Sequence, residues 1–166
     1  SRPETVTEEK VALLKDMGCK NLQFGIEHGN EEFRKRMLNR NYSNRQLINA
    51  LHLVEKYAIE YTVNNIMGFP EETRELVFDT IAVNRQINPT TMNVYLFTPY
   101  KGTYLYEYCV GKGYMDRDAP VNQLLDSTEM RNQPMSYTEL KGLQRTFPLY
   151  SRFPESEWEK IRRAET

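Results

Sequence analysis

The chain has 166 residues and a mass of 19.6 kDa, the size of one domain. Its 22 Lys and Arg balance 23 Asp and Glu to a net charge of −1, and its mean hydropathy is −0.71, so global charge gives no argument for a nucleic-acid or anionic-membrane partner. No run approaches the roughly 18 apolar residues of a membrane span, and two cysteines exclude a disulfide scaffold and any cysteine-only metal site of about four ligands. No apolar leader segment is visible after Ser1, and the expected setting is the reducing cytoplasm.

Helix and strand alternate along the chain. Thr7 caps an expected helix with Glu8 and Glu9 at its positive end, Val11, Leu14 and Met17 at helical spacing, and Gly18 as its stop. Asn21 to Glu27 reads as a strand, because Leu22, Phe24 and Ile26 alternate with Gln23, Gly25 and Glu27. Gly29-Asn30 is turn chemistry, and a short helix is expected over Glu31 to Leu38. Ser43-Asn44-Arg45-Gln46 fits a capping box, followed by the apolar stripe Leu47, Leu51, Val54 and Ala58. Ile59 to Gly68 is the second strand, and Pro70 ends it. The next helix carries Leu76, Thr80, Val83 and Ile87 on one face and stops before Asn88-Pro89. Met92 to Phe97 is the third strand, ended by Pro99 and Gly102, and Tyr104 to Val110 is helical. Strands spaced by about 30 to 40 residues with helices between them are the βαβ rhythm of a parallel sheet. Beyond Gly111 the rhythm is lost. Tyr114 to Gln133 reads as irregular, then two helices are expected over Thr138 to Phe147, ended by Pro148, and over Glu155 to Ala164.

A parallel sheet is normally covered on both faces, and three strands are too few to close a (β/α) barrel. One side of the strands is polar (Gln23, Glu27; Thr62, Asn64; Asn93, Tyr95) and the other mostly apolar. That asymmetry suits strands that line a polar cavity within a larger barrel. Ligands of parallel α/β folds gather at the carboxyl ends of strands, so Glu27, Asn64 and Phe97 are expected around one pocket. Glu27 offers acceptors for hydroxyls, Asn64 a donor and an acceptor, and strand-end amides can read a heterocycle edge. Arg40, thirteen residues after Glu27, could bind a carboxylate bidentately. Each has a plainer alternative: a solvated strand-end carboxylate, a satisfied inward amide, and a surface arginine within the charged run of Arg34, Lys35, Arg36 and Arg45. His28 sits at the expected pocket mouth and His52 within a helix as a structural residue. Cys19 and Cys109 read as buried thiols, and the tyrosines from Tyr95 to Tyr108 as packing and amphipathic surface. No Walker loop, GxSxG elbow or HExxH helix occurs.

Four segments in order carry a resemblance: Gly25-Ile26-Glu27-His28-Gly29-Asn30; Asn39-Arg40; Asn64-Asn65-Ile66-Met67-Gly68-Phe69-Pro70-Glu71-Glu72-Thr73; and Pro99-Tyr100-Lys101-Gly102-Thr103-Tyr104-Leu105-Tyr106. Together they resemble the radical SAM superfamily. The branch most similar holds the methylthiotransferases and the oxygen-independent coproporphyrinogen dehydrogenases, iron–sulfur oxidoreductases that often carry a cobalamin-binding domain. The resemblance implies a partial (β/α)₆ barrel of which residues 1–113 supply strands four to six and 114–166 a helical extension. It implies S-adenosylmethionine (SAM) as cofactor and a [4Fe–4S] cluster held by a Cys-x₃-Cys-x₂-Cys motif upstream of this chain, in the remaining half of the barrel. Cobalamin would belong to the full-length protein.

By the same resemblance, Glu27 would contact the SAM ribose and Arg40 the methionine carboxylate. Asn64 to Glu71, with Ile66 and Gly68, matches the GxIxGxxE motif that supports the adenine, and the Phe97 backbone would reach the adenine edge. Several positions depart from the pattern: Asn64 replaces a glycine, His28 a serine and Lys101 a proline, and Asn65 is polar where the helix-facing side would be apolar. The implied chemistry is reductive cleavage of the SAM C–S bond to a 5′-deoxyadenosyl radical that abstracts hydrogen from a substrate. This chain alone would be inactive. A nucleoside-binding or scaffold module without a cluster, and a SAM-independent α/β enzyme with Glu27 as general base, are the other readings. The unpaired edge of the first strand is a pairing hazard, so the chain by itself is expected to dimerise there or to cover that edge.

Overall fold

The computed structural model describes residues 1–118 and 130–166; the remainder of the segment read as irregular lies outside the described residues. The elements in chain order are α1 (Glu8–Asp16), β1 (Asn21–Glu27), α2 (Glu31–Leu38), α3 (Asn44–Lys56), β2 (Glu60–Met67), α4 (Arg74–Asn84), β3 (Thr91–Leu96), α5 (Tyr104–Gly111), α6 (Tyr137–Arg152) and α7 (Trp158–Arg163). The three strands form one sheet in the order β1-β2-β3. β1 and β2 run parallel from Asn21 opposite Glu60 to Gly25 opposite Asn64. β3 follows β2 in the same direction: the Thr90 N–H donates to Tyr61 O and the Phe97 N–H to Met67 O. The architecture is α/β with a parallel sheet and C-terminal helices, as the alternating pattern predicts.

The chain divides into two compact units. The first comprises residues 1–65 and 78–93. Its core joins Phe24, Ile26, Tyr61 and Val63 of the strands to Val11, Leu47, Leu51, Val54 and Val83 of the helices. Local signals start these helices where expected. The Thr7 side chain accepts from the Lys10 N–H, and Ser43 and Gln46 form a reciprocal capping box. Gly18, at φ +79°, turns the chain out of α1. The apolar stripe of α3 is shorter than its spacing suggests. The helix ends at Lys56, and Ala58 is exposed in the left-handed region at φ +49°, with its carbonyl accepting from Lys15 Nζ at 3.0 Å. Ile87 is buried but lies beyond α4, which ends at Asn84. His52 is exposed, with Nε2 at 2.9 Å from Gln86 O, and Cys19 is only half-buried.

The second unit comprises residues 66–77 and 94–166. Leu140, Leu143, Phe147 and Tyr150 of α6 are buried, as are Met67, Phe69, Leu96 and Phe97 from the strand ends. Pro148 does not end α6, contrary to the expectation from sequence; the helix runs to Arg152. Proline removes one helix hydrogen bond. Here the turn around it is held by Ser151 Oγ donating to Phe147 O at 2.9 Å, by the Phe153 N–H donating to Leu149 O, and by buried Phe147 and Tyr150. Among the described residues, no helix is long and apolar enough to cross a membrane.

Candidate functional site

Glu27 ends β1 in an uncommon backbone state. The pairing slips between Gly25 and Glu27, so that Gly25 faces Asn64 while Glu27 faces Asn65, and Glu27 has φ +64°. The His28 N–H closes the turn on Ile26 O at 2.8 Å. Bulges re-aim side chains, and a non-glycine residue in the left-handed region is held there by its surroundings. The result lays the Glu27 carboxylate over the α-carbon of Gly25: a β-carbon at Gly25 would lie 2.2 Å from Glu27 Oε1. A side chain at Gly25 would have to push the carboxylate out of this position. Since Gly25 is the partner of Asn64 across the ladder, the carboxylate lies on the polar face that also carries Asn64.

The segment after β1 is fastened to α4. A β-carbon at Gly29 would meet Asp79 O at 2.3 Å, the Gly29 N–H donates to Thr80 Oγ1 at 2.8 Å, and Asn30 Nδ2 donates to Asp79 Oδ2 at 2.8 Å. His28 is fully buried rather than at a pocket mouth. Its ring stacks on Phe33 with centroids 4.4 Å apart, and Nδ1 accepts from the Asn30 N–H at 3.0 Å. Arg34, which the charge run suggests is a surface residue, is fully buried as well. It donates to His28 O at 2.7 Å, to Asn44 Oδ1 at 2.9 Å and to Tyr42 O, and its guanidinium lies 4.2 Å from the centre of the Tyr42 ring. Nothing in the local pattern separates Arg34 from its exposed neighbours; its role appears only when β1, α2 and α3 are assembled.

Arg40 follows Asn39, whose left-handed conformation (φ +50°) ends α2. Its Nη2 lies 3.2 Å from Glu27 Oε1, with both side chains largely shielded. Burial pushes the Glu27 carboxyl above its ordinary value, and the charge of Arg40 offsets only part of that. The two residues singled out in sequence are therefore brought together, as partners of each other. Asn64 is half-buried, and its Oδ1 accepts from Asn93 Nδ2 at 2.9 Å. Asn65, polar on the helix-facing side, is satisfied by Asn84 of α4 through a reciprocal pair of amide bonds of 2.8 and 3.2 Å. Nothing local in the sequence marks Asn84 or Asn93 as a site residue. Only the facing polar positions on β2, β3 and α4 could have signalled them.

Ile66, Gly68 and Phe97 belong to the second unit. Ile66 is half-buried in β2, and Gly68 turns the strand into its loop at φ +81°. Glu72 closes that loop: its Oε2 accepts from the N–H groups of Gly68 and of Phe69, the latter at 3.0 Å. Glu71 instead accepts from the Tyr108 hydroxyl. Phe97 packs on Phe69 with ring centroids 4.8 Å apart, and its N–H is spent on Met67 O at 2.8 Å. Its carbonyl is therefore the backbone group it can offer to a ligand.

An acceptor-only carboxylate and an amide on one sheet face, with a guanidinium at the carboxylate, form a donor set that fits a ribose diol and an amino-acid carboxylate. A guanidinium has five N–H donors, so Arg40 can keep Glu27 and still take a second carboxylate. The residues present thus fit the polar parts of SAM. Among the described residues, no group of three or more His, Cys, Asp or Glu is placed to hold a metal ion.

Residues 1–82 match the Radical SAM superfamily. An uncharacterized methyltransferase of Pyrococcus horikoshii is 30% identical over 115 residues, covering 69% of this chain and 25% of that protein. A tRNA-2-methylthio-N(6)-dimethylallyladenosine synthase of Thermosipho melanesiensis is 28% identical over 91 residues, 54% of this chain and 21% of the relative. Among solved structures, the archaeal Elp3 of Methanocaldococcus infernus with an N-terminal deletion shares the fold with a TM-score of 0.58 at 21% identity, over 68% of this chain and 26% of that one. Coproporphyrinogen III oxidase (HemN) from Escherichia coli, a radical SAM enzyme, does so with a TM-score of 0.55 at 20% identity, over 75% and 28%. The chain is thus similar to radical SAM proteins at low identity and over part of its length. The chain spans about a quarter of the length of the relatives it matches.

Proposed function

We propose that this chain is the SAM-binding side of a radical SAM iron–sulfur oxidoreductase, corresponding to strands four to six of the barrel. The [4Fe–4S] ligands would lie in the remaining half of the same polypeptide. The observation that carries the reading is the strand-end arrangement of Glu27: a left-handed, bulged residue whose shielded carboxylate occupies the open face of Gly25 and meets Arg40 at 3.2 Å. Such an arrangement costs backbone strain and desolvation without adding to the core, and both costs are accounted for by a ligand. In this reading Glu27 accepts from the ribose hydroxyls and Arg40 binds the methionine carboxylate. Asn64 bonds the nucleoside, and the Ile66–Gly68 segment and the Phe97 carbonyl support the adenine. The cluster and SAM would supply the radical chemistry; the residues of this chain bind and orient. Support for the methylthiotransferase side of the superfamily comes from the similarity to tRNA-2-methylthio-N(6)-dimethylallyladenosine synthases.

The test is calorimetric titration of SAM into the intact, anaerobically reconstituted protein. Glu27→Ala and Arg40→Ala are each expected to weaken binding by roughly tenfold or more, the worth of a charge-assisted hydrogen bond. Unchanged affinity in both variants removes the site assignment. An intact protein that binds SAM yet carries no cluster would favour a nucleoside-binding module instead.

A further inference from the structure

The polar residues around Asn64 form two hydrogen-bonded amide pairs, Asn65–Asn84 and Asn64–Asn93. On the helix-facing side of β2, Asn84 Nδ2 donates to Thr80 O at 2.8 Å and Asn65 Nδ2 to Asn93 O at 3.2 Å. Backbone carbonyls only accept, so these two bonds fix which end of each carboxamide carries the NH₂, and the Asn65–Asn84 amide pair follows in one orientation. The backbone of Asn93 is thereby tied to β2 and, through Asn65, to α4. Successive strand residues point to opposite faces, so Asn64 stands on the other side from Asn65. There the Asn93 side chain donates to Asn64 Oδ1 at 2.9 Å. Among the described residues this is the one hydrogen bond of the Asn64 carboxamide, whose NH₂ donates to none of their groups.

The geometry points to Asn93 as a positioning residue for Asn64. By holding Oδ1 it turns the NH₂ of Asn64 outward, so that Asn64 meets its ligand as a hydrogen-bond donor toward a hydroxyl oxygen or ring nitrogen of a nucleoside. The inference rests on the reading of Asn64 as a SAM-site residue and adds to it the direction of the bond and the residue that sets it. An unheld asparagine can present either end by a half-turn of its amide, and a ligand would then have to select one of the two.

The experiment uses the intact protein and S-adenosylhomocysteine, whose binding is read without turnover. Asn93→Ala and Asn93→Thr are each expected to weaken binding about three- to tenfold, as loss of one neutral hydrogen bond would; either serves if the other fails to fold. Asn64→Ala is expected to weaken it at least as much, and the Asn64→Ala/Asn93→Ala double variant no more than Asn64→Ala alone. A purely structural role for Asn93 would instead give losses that multiply. Asn64→Asp keeps the bond from Asn93 and has no hydrogen to donate, so it should bind no better than Asn64→Ala. Wild-type affinity in the Asn93 variants, multiplying losses, or wild-type affinity in Asn64→Asp would overturn the inference while leaving the SAM reading in place. If the wild-type protein binds neither S-adenosylhomocysteine nor SAM, that reading fails and the inference falls with it.

Discussion

Arg40 reaches back over the end of β1 to pair with Glu27, thirteen residues earlier, with Nη2 3.2 Å from Oε1. Two backbone turns that ordinary residues seldom adopt make the meeting possible: Glu27 at φ +64° and Asn39 at φ +50°. Glu27 and Arg40 are also the residues with the most definite roles in the proposed site. Their pairing keeps a shielded carboxylate and a guanidinium from facing low dielectric alone.

The Glu27 carboxylate should lower stability near neutral pH. Its folded pKa lies above the ordinary 4.5, first because of burial, with Arg40 opposing. Well below pH 4.5 the group is protonated in both states and contributes nothing. As pH rises past 4.5 the unfolded carboxyl ionises first, and stability falls until the folded group ionises too. Glu27→Gln removes this pH dependence, apart from a constant offset for the lost partner of Arg40. Denaturant unfolding from pH 4.5 to 8 should show the variant gaining on wild type with rising pH before levelling off. A difference that is flat, or that shrinks with rising pH, contradicts the arrangement.

Gly29→Ala should destabilise the chain by about 1–3 kcal/mol, the range for forced overpacking. Its β-carbon would have to displace the Asp79 backbone, 2.3 Å away. Gly111→Ala is the control. It ends α5 with no atom within 4 Å of the new methyl group, and should be between neutral and about 0.5 kcal/mol more stable. Urea unfolding of both variants checks the pair. Equal effects would mean that the β1–α2 turn does not press on α4.

The bounds of β1 and α2 and the Ser43 capping box were legible because they rest on local signals: alternation, an Asx or Ser cap, and a helix-ending residue. Glu27 and Arg40 were legible through spacing and resemblance, but their mutual contact was not, since it depends on two left-handed residues that carry no glycine signal. Arg34 and His28 show the same limit. Both look like surface charge or site chemistry in sequence and prove to be buried supports of the turn. The Asn65–Asn84 and Asn64–Asn93 pairs join residues 19 and 29 positions apart, and no local period announces them. Pro148 shows the same limit. The rule that proline ends a helix is local, whereas the continuation of α6 depends on buried Phe147 and Tyr150.

The two thiols should differ sharply in reactivity. Burial pushes Cys109 up to about 11, so it carries almost no thiolate at neutral pH, and it is fully buried. Cys19 is half-buried, with Sγ at 3.6 Å from Asn21 O. Titration of the native protein with a chromogenic disulfide should therefore release one equivalent quickly, from Cys19, and a second only after unfolding. Cys19→Ser should abolish the fast phase. Two fast equivalents would place Cys109 in reach of solvent.

Glu165 should show the opposite pH signature to Glu27. It accepts from Arg74 Nη1 at 2.8 Å and Nη2 at 2.7 Å and from the Tyr150 hydroxyl. Burial alone would raise its pKa, but these bonds more than offset burial, and the carboxyl sits below its ordinary 4.5. A depressed folded pKa gives stability that is complete above the unfolded value and is lost as pH falls through the folded one. The same contact pushes Tyr150, already raised by burial, up to about 12, so its hydroxyl remains a donor throughout the neutral range. Glu165→Gln should cost about 1.5–3 kcal/mol at pH 7, the range for hydrogen bonds to a charged group, and Tyr150→Phe about 0.5–1.5 kcal/mol. The Glu165→Gln deficit should shrink as pH falls below about 4.5, where the wild-type carboxylate takes up its proton and loses its advantage over the amide. A deficit independent of pH would mean that Glu165 acts through shape rather than charge, and no deficit would mean that the contact with Arg74 does not hold the C-terminal helices in solution.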